Sequence, residues 1–364
     1  MIREQELEKF HSEVASRNLR PLWEASSRIM PKEPKTKTLP YLWKWSLIRE
    51  KLERAGELIR PEDPGSDRRV LMLENPGLGQ QMWGSTTQTL TTAVQLILPG
   101  EKAPSHRHSS TAIRFIVDGA GAYTTVNGEK IPMNMGDFLL TSSYCWHEHG
   151  HEGDGPMFWM DTLDIPFVNA MNGSFFEPDP REYQPLEAAT DQSLRRYAEG
   201  LMRPLQDRKK RSPISPVAKY EWNKTKATLD SLTDFEPDPF DGYAVEFINP
   251  HNGETANENI GCWMHKFIPG QHTKAHRHVN SAVYHVYQGS GYTVIDGVKF
   301  EWEKGDFFVV PTWSWHEHVC TSEQPAFLFT VNDVPLMERN FLQKEESHPD
   351  EYQTITETFQ PDLG

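Results

Sequence analysis

A chain of 364 residues is long enough for two or three hydrophobic cores. Its 52 acidic and 37 basic residues give a formal net charge of −15, which disfavours nucleic acid and anionic membrane surfaces as partners and leaves any anionic ligand to find positive charge locally, on a metal or an arginine. Three cysteines, Cys145, Cys262 and Cys320, with no CxxC among them, argue against a disulfide framework or a thiolate zinc site.

The opening MIREQELEKFHSEV is charged and lacks the apolar core of a secretory signal. No stretch reaches the roughly 18 apolar residues of a membrane helix, so the chain reads as cytoplasmic. Glu4 to Asn18 and Trp43 to Ile59 carry apolar residues at helical spacing, the second bracketed by Pro40 and Pro61. From Arg69 to about Pro166 the texture becomes short apolar runs between Gly, Pro and Asn turns, as in VLMLENPG, AIRFIVDGAG and GDFLLTS. Leu186 to Arg211 reads as helical, SPISPV as a linker and YEWNKTKATLDSL as a short helix. Strand texture returns from Gly242 to about Val334, and the tail is polar. The expected organisation is a helical N-terminal segment over 1–68, a β domain over 69–168, a helical linker over 169–241, a second β domain over 242–335 and a tail over 336–364.

The two β regions are copies. PGEKAPSHRH (Pro99–His108) matches PGQHTKAHRH (Pro269–His278), RFIVDGAGAYTTVNG matches YHVYQGSGYTVIDG, and GDFLLTSSYCWHEH (Gly136–His149) matches GDFFVVPTWSWHEH (Gly305–His318). The offset is 170 residues before the hairpin and 169 after it. Three blocks in the same order mark an internal duplication.

On a strand, residues i and i+2 share a face, so His106 and His108 point one way and Arg107 the other. His147, from a strand about 40 residues on, completes three imidazoles converging inside a barrel, a donor set suited to Fe, Cu, Ni or Zn. An isolated HxH is more often two unrelated histidines, but here the second copy repeats the pattern as His276, His278 and His316.

Gly100-x5-His106-x-His108, followed by Gly136-Asp-Phe and His147, resembles the cupin family. The acidic ligand common in cupins four or five residues after the second His is replaced by Ala112 and Ile113 in one copy and Ala282 and Val283 in the other. Three neutral imidazoles leave the full +2 charge and about three open positions, room for a chelating substrate and for O2. The longer blocks RRVLMLENPGL, LILPGEKAPSHRH, AIRFIVDGAGAYTTVNGE, GDFLLTSSYCWHEHG and WMDTLDIPF resemble more particularly the gentisate 1,2-dioxygenase group, which includes salicylate and 1-hydroxy-2-naphthoate dioxygenases. The likeness runs over nearly the whole chain. It implies a mainly β bicupin, two double-stranded β-helix (jelly-roll) barrels, assembled as a homotetramer. It also implies an Fe(II) site on His106, His108 and His147, and extradiol-type cleavage of gentisate (2,5-dihydroxybenzoate) with O2 to maleylpyruvate; salicylate or 1-hydroxy-2-naphthoate is the alternative substrate. By the same resemblance Arg114 binds the substrate carboxylate and His149 serves as a hydrogen-bonding or acid/base group. Gln95, Asp161 and Arg69 line the pocket or steady its ligands.

Thr91 and Thr92 stand where the family has a large aromatic, and Tyr144-Cys145 where a Thr-Trp pair is commoner; both departures bear on substrate choice. In the second copy Arg114 becomes Tyr284, Gln95 becomes His265 and Asp161 becomes Thr330, so that lobe can hold a metal but lacks the carboxylate anchor. A non-catalytic metal-binding bicupin and a zinc hydrolase using metal-bound water are the rival readings of the same triad.

Overall fold

The computed structural model describes residues 2–60 and 68–362; part of the Arg60–Arg68 connection therefore lies outside the described residues. Two compact units are distinguished, 1–36 and 37–364. The first holds helices α1 (Ile2–Ser16) and α2 (Leu22–Ile29). Neither buries a hydrophobic face: Leu7, Phe10, Trp23 and Ile29 are exposed.

The second unit begins with β1 (Tyr41–Trp43) and α3 (Trp45–Leu58), then runs through β2 (Arg69–Met72), β3 (Thr91–Ile97), β4 (Lys102–His108), β5 (Ala112–Asp118), β6 (Ala122–Val126), β7 (Glu129–Pro132), β8 (Phe138–Thr141), β9 (His147–His151) and β10 (Met157–Leu163). The connection carries α4 (Ile165–Ala170), β11 (Phe176–Pro178), α5 (Gln192–Arg196), β12 (Lys219–Tyr220) and α6 (Trp222–Leu232). The second copy comprises β13 (Tyr243–Glu246), β14 (Gly261–Phe267), β15 (His276–His278), β16 (Ala282–Gln288), β17 (Ser290–Ile295), β18 (Val298–Glu303), β19 (Phe307–Val310), β20 (His316–Cys320) and β21 (Ala326–Asn332). Helix α7 (Val334–Arg339), β22 (Glu345–Ser347) and β23 (Glu357–Thr358) close the chain.

Each copy forms two sheets. The first lobe has the order β12-β8-β5-β10-β3-β2 in one and β11-β4-β9-β6-β7 in the other; the second has β1-β19-β16-β21-β14-β13 and β22-β15-β20-β17-β18-β23. This is the mainly β, two-barrel architecture expected from the duplicated motifs. The hairpins turn on Asn127-Gly128 and Asp296-Gly297, all four residues at positive φ, the two-residue turn whose twist matches the strands it joins. A shared core joins the lobes: Phe115 of β5 stacks on Phe329 of β21 with centroids 4.2 Å apart, and Phe138 packs beside them.

The structure departs from the sequence reading in three places. The segment expected to be helical over 1–68 contains β1, which pairs with β19 of the second lobe. Leu186–Arg211 holds one short helix and 3-10 turns rather than a long helix, because Asp191 and Gly200 adopt positive φ and Pro204 cannot continue a helix. The polar tail supplies the edge strands β22 and β23.

Candidate metal centre and substrate pocket

Strand alternation places the donors. On β4, His106 and His108 project into the first barrel, while Arg107 points out, paired with Glu177 at 2.6 Å and lying over the Trp146 ring. β9 runs antiparallel to β4 with His147 opposite His106. One nitrogen from each of the three imidazoles lies within 4.8 Å of the others. His108 Nδ1 sits 2.7 Å from the Ser110 carbonyl and His147 Nδ1 3.0 Å from that of Cys145. Those carbonyls fix the proton on Nδ1 and leave Nε2 as a lone pair, the state a metal ligand needs. Burial, then the nearby Arg68 and His108, pushes His106 down to about 3, and burial lowers His108 and His147 too, so all three rings are neutral.

A cavity of about 180 Å³ opens beside the triad. Arg68, Val70, Met72, Thr91, Ala93 and Gln95 form one wall, and Ala112, Arg114, His149 and Asp161 complete the polar end. Arg114 and Asp161 face each other across the β5–β10 pair, with Nε 2.8 Å from Oδ1. The other carboxylate oxygen of Asp161 accepts from Trp159 Nε1 at 2.8 Å. The guanidinium is thereby fixed in orientation, while its buried Nη1 has no partner among the described residues. His149 Nδ1 is likewise buried and unpartnered. Its pKa lies well below the ordinary histidine value through burial and then the Arg114 charge, so the ring is neutral.

One expected residue falls elsewhere. Arg69 turns away from the cavity, binding both carboxylate oxygens of Glu101 and the Ile59 carbonyl. The pocket arginine is its neighbour Arg68, which shares a face with Val70 and Met72 and places Nη2 2.7 Å from the Pro104 carbonyl and 2.8 Å from His106 Nδ1. His106 Nδ1 also lies 3.5 Å from the same Pro104 carbonyl, the acceptor available to a proton on that nitrogen.

A cupin-domain family model matches residues 93–165 and 263–332, one match in each lobe. The chain is 38% identical over 360 residues to 5-aminosalicylate 1,2-dioxygenase of Comamonas sp, covering 97% of this chain and 94% of that one. It is 37% identical to gentisate 1,2 dioxygenase 1 of Aquipseudomonas alcaligenes, covering 90% and 92%. The crystal structure of salicylate 1,2-dioxygenase adducts with gentisate, from Pseudoaminobacter salicylatoxidans, superposes with a TM-score of 0.87 at 33% identity over 94% of each chain. The chain belongs to the gentisate 1,2-dioxygenase family. It is a metal-dependent bicupin dioxygenase, an oxidoreductase that acts on a small aromatic substrate with O2.

The two copies of this gentisate 1,2-dioxygenase family member differ beside their triads. Tyr284 pairs with Thr330 across β16 and β21, the register that joins Arg114 to Asp161 in the first lobe. Cation and anion are both missing there, so the second lobe lacks the Arg114–Asp161 pair that lines the cavity beside the first triad. The sequence pattern assigns no role to Trp159; its place two residues before Asp161, on the same strand face, is the signal available.

Proposed function

We propose that the first lobe uses O2 to cleave the ring of a 2-hydroxybenzoate between the carbons bearing carboxyl and hydroxyl, with gentisate as the preferred substrate and maleylpyruvate as product. The observation that carries this reading is the buried, unpartnered Arg114 Nη1, oriented by Asp161 in the cavity that the three imidazoles also line. An iron(II) ion held by His106, His108 and His147 supplies the redox chemistry through which O2 reacts with the ring.

The protein's own residues do the rest. Arg114 binds the carboxylate by a charge-assisted bond in a site shielded from water, and Asp161 with Trp159 keeps the guanidinium from rotating. His149 offers a ring N–H to the phenolic oxygen. Gln95 lines the cavity wall. Thr91, Ala93 and Ala112 are small, leaving room for a polar 5-substituent such as the hydroxyl of gentisate or the amine of 5-aminosalicylate. Salicylate and 1-hydroxy-2-naphthoate are the alternative substrates. We also place the enzyme in the cytoplasm as a homotetramer, a reading supported by its three free cysteines and by the apolar side chains left exposed on α1 and α2.

The test is oxygen uptake by Fe(II)-loaded protein with gentisate, salicylate and 1-hydroxy-2-naphthoate in parallel. Uptake with gentisate at the highest kcat/KM is expected; uptake with none of the three would refute the proposal.

A further inference from the structure

The second lobe repeats the three imidazoles without the substrate-binding groups. His276, His278 and His316 are buried, and their ligand nitrogens also lie within 4.8 Å of one another. All three tautomers are fixed by an acceptor on Nδ1: the Glu345 carboxylate on His276 at 2.8 Å, the Asn280 carbonyl on His278 at 2.8 Å and the Ser314 carbonyl on His316 at 3.0 Å. Each Nε2 is therefore a lone pair. His276 Nε2 and His316 Nε2 nevertheless lie 2.8 Å apart. With both protons committed to Nδ1 no hydrogen bond can join them, and two lone pairs at that distance repel unless a cation lies between them. In the first triad the acceptor on His106 Nδ1 is the more distant Pro104 carbonyl at 3.5 Å, with Arg68 Nη2 at 2.8 Å from the same nitrogen.

A second observation points the same way. His265 is fully buried on β14, at the position Gln95 holds in the first lobe. Its Nδ1 lies 3.2 Å from the Asp241 carbonyl, while its Nε2 has no partner among the described residues. The interior around it is filled by rings. Tyr284 stacks on Phe308 and lies 5.1 Å from His318. Tyr284 stands where the first lobe has Arg114, so this interior offers an aromatic carboxylate no guanidinium from that position.

We infer that His276, His278 and His316 hold a divalent transition-metal ion as a structural site, separate from the catalytic one, which fastens the C-terminal segment to the second barrel. The link to that segment is Glu345. It lies on β22, which pairs with β15 in the register His278–Glu345, and its carboxylate is the acceptor for His276 Nδ1. A metal on Nε2 makes Nδ1–H a stronger donor, and the carboxylate in turn makes the ring a stronger ligand. Binding the ion and docking β22 therefore favour each other. In the first lobe the residue in that register is Phe176, opposite His108, and it can make no such bond.

The experiment counts ions. Chelator-stripped protein is reloaded anaerobically with Fe(II) alone, and bound iron per chain is measured by mass spectrometry for wild type, for His106→Ala/His147→Ala and for His278→Ala. Two, one and one are expected. Hydrogen exchange across Glu345–Ser347 should slow on loading in wild type and in His106→Ala/His147→Ala. Glu345→Gln should weaken retention of the second ion about tenfold to a hundredfold. If His278→Ala does not fold, the first-lobe double variant still decides. One ion in wild type and none in that double variant would overturn the site, and two ions with unchanged exchange would overturn its fastening role. Activity is not a readout, so a failed substrate assignment in the first lobe would leave this result standing.

Discussion

Arg114 is the sharpest place to perturb the enzyme. Its side chain is almost wholly buried, its Nε is bound to Asp161 at 2.8 Å, and its free Nη1 is the group proposed to meet the substrate carboxylate. A hydrogen bond to a charged group contributes about 1.5–3 kcal/mol, so losing it should raise KM about tenfold to more than a hundredfold. Arg114→Ala carries a second cost. It strands the Asp161 carboxylate in the barrel with Trp159 as its one remaining donor among the described residues, and breaking a buried ion pair costs about 3–5 kcal/mol of stability. Arg114→Lys separates the two effects. An ammonium can satisfy Asp161 or the substrate but lacks the rigid fork that serves both at once. The lysine variant should therefore fold and load metal normally while KM rises at least about tenfold, with kcat falling less. Steady-state oxygen consumption at graded gentisate concentrations, with metal content measured on each preparation, reads this out. A folded, metal-loaded Arg114→Lys enzyme with wild-type KM would refute the assignment of the carboxylate site.

Other expectations follow from the same geometry. His106→Ala or His147→Ala should abolish turnover, because two imidazoles hold iron poorly; near-normal rates in either would put the catalytic metal elsewhere. Metal-free protein should melt at lower temperature as pH falls. An unfolded imidazole has a pKa near 6.5 while folded His106 sits at about 3, so the stability tied to its neutral form is complete above about 6.5 and lost as pH drops toward 3; a melting temperature flat between pH 7.5 and 5 would contradict this. Light scattering should find a homo-oligomer, most simply the tetramer, and a monomer at working concentration would remove that part of the proposal.

Much of this arrangement was legible in the sequence because it rests on local periodicity. HRH on one strand and WHEH on another, repeated at nearly constant offset, already specify two barrels with three imidazoles in each. Alternation also put Arg107 on the outer face, whereas Arg114 came from the family resemblance. The choice between Arg68 and Arg69 was not legible, because adjacent residues on an edge strand point to opposite faces and nothing local says which face is inward; Glu101, the partner that draws Arg69 away, comes from the turn before β4. Edge strands β1, β11 and β22 were missed for a related reason. Three residues are too few to show a period of two, and their pairing is decided by the sheet they join. Glu345, far down a polar tail, could not be tied to His276 until that pairing was known.

The most direct test of the catalytic proposal is the stoichiometry of oxygen and ring cleavage. Fe(II)-loaded enzyme given a limiting amount of gentisate should consume one O2 per molecule of substrate, and with 18O2 the ring-opened product should gain two labelled oxygen atoms. Ring opening with no O2 consumed, or a product carrying oxygen from water alone, would mean that the triad acts as a hydrolytic metal site and that the dioxygenase mechanism is wrong.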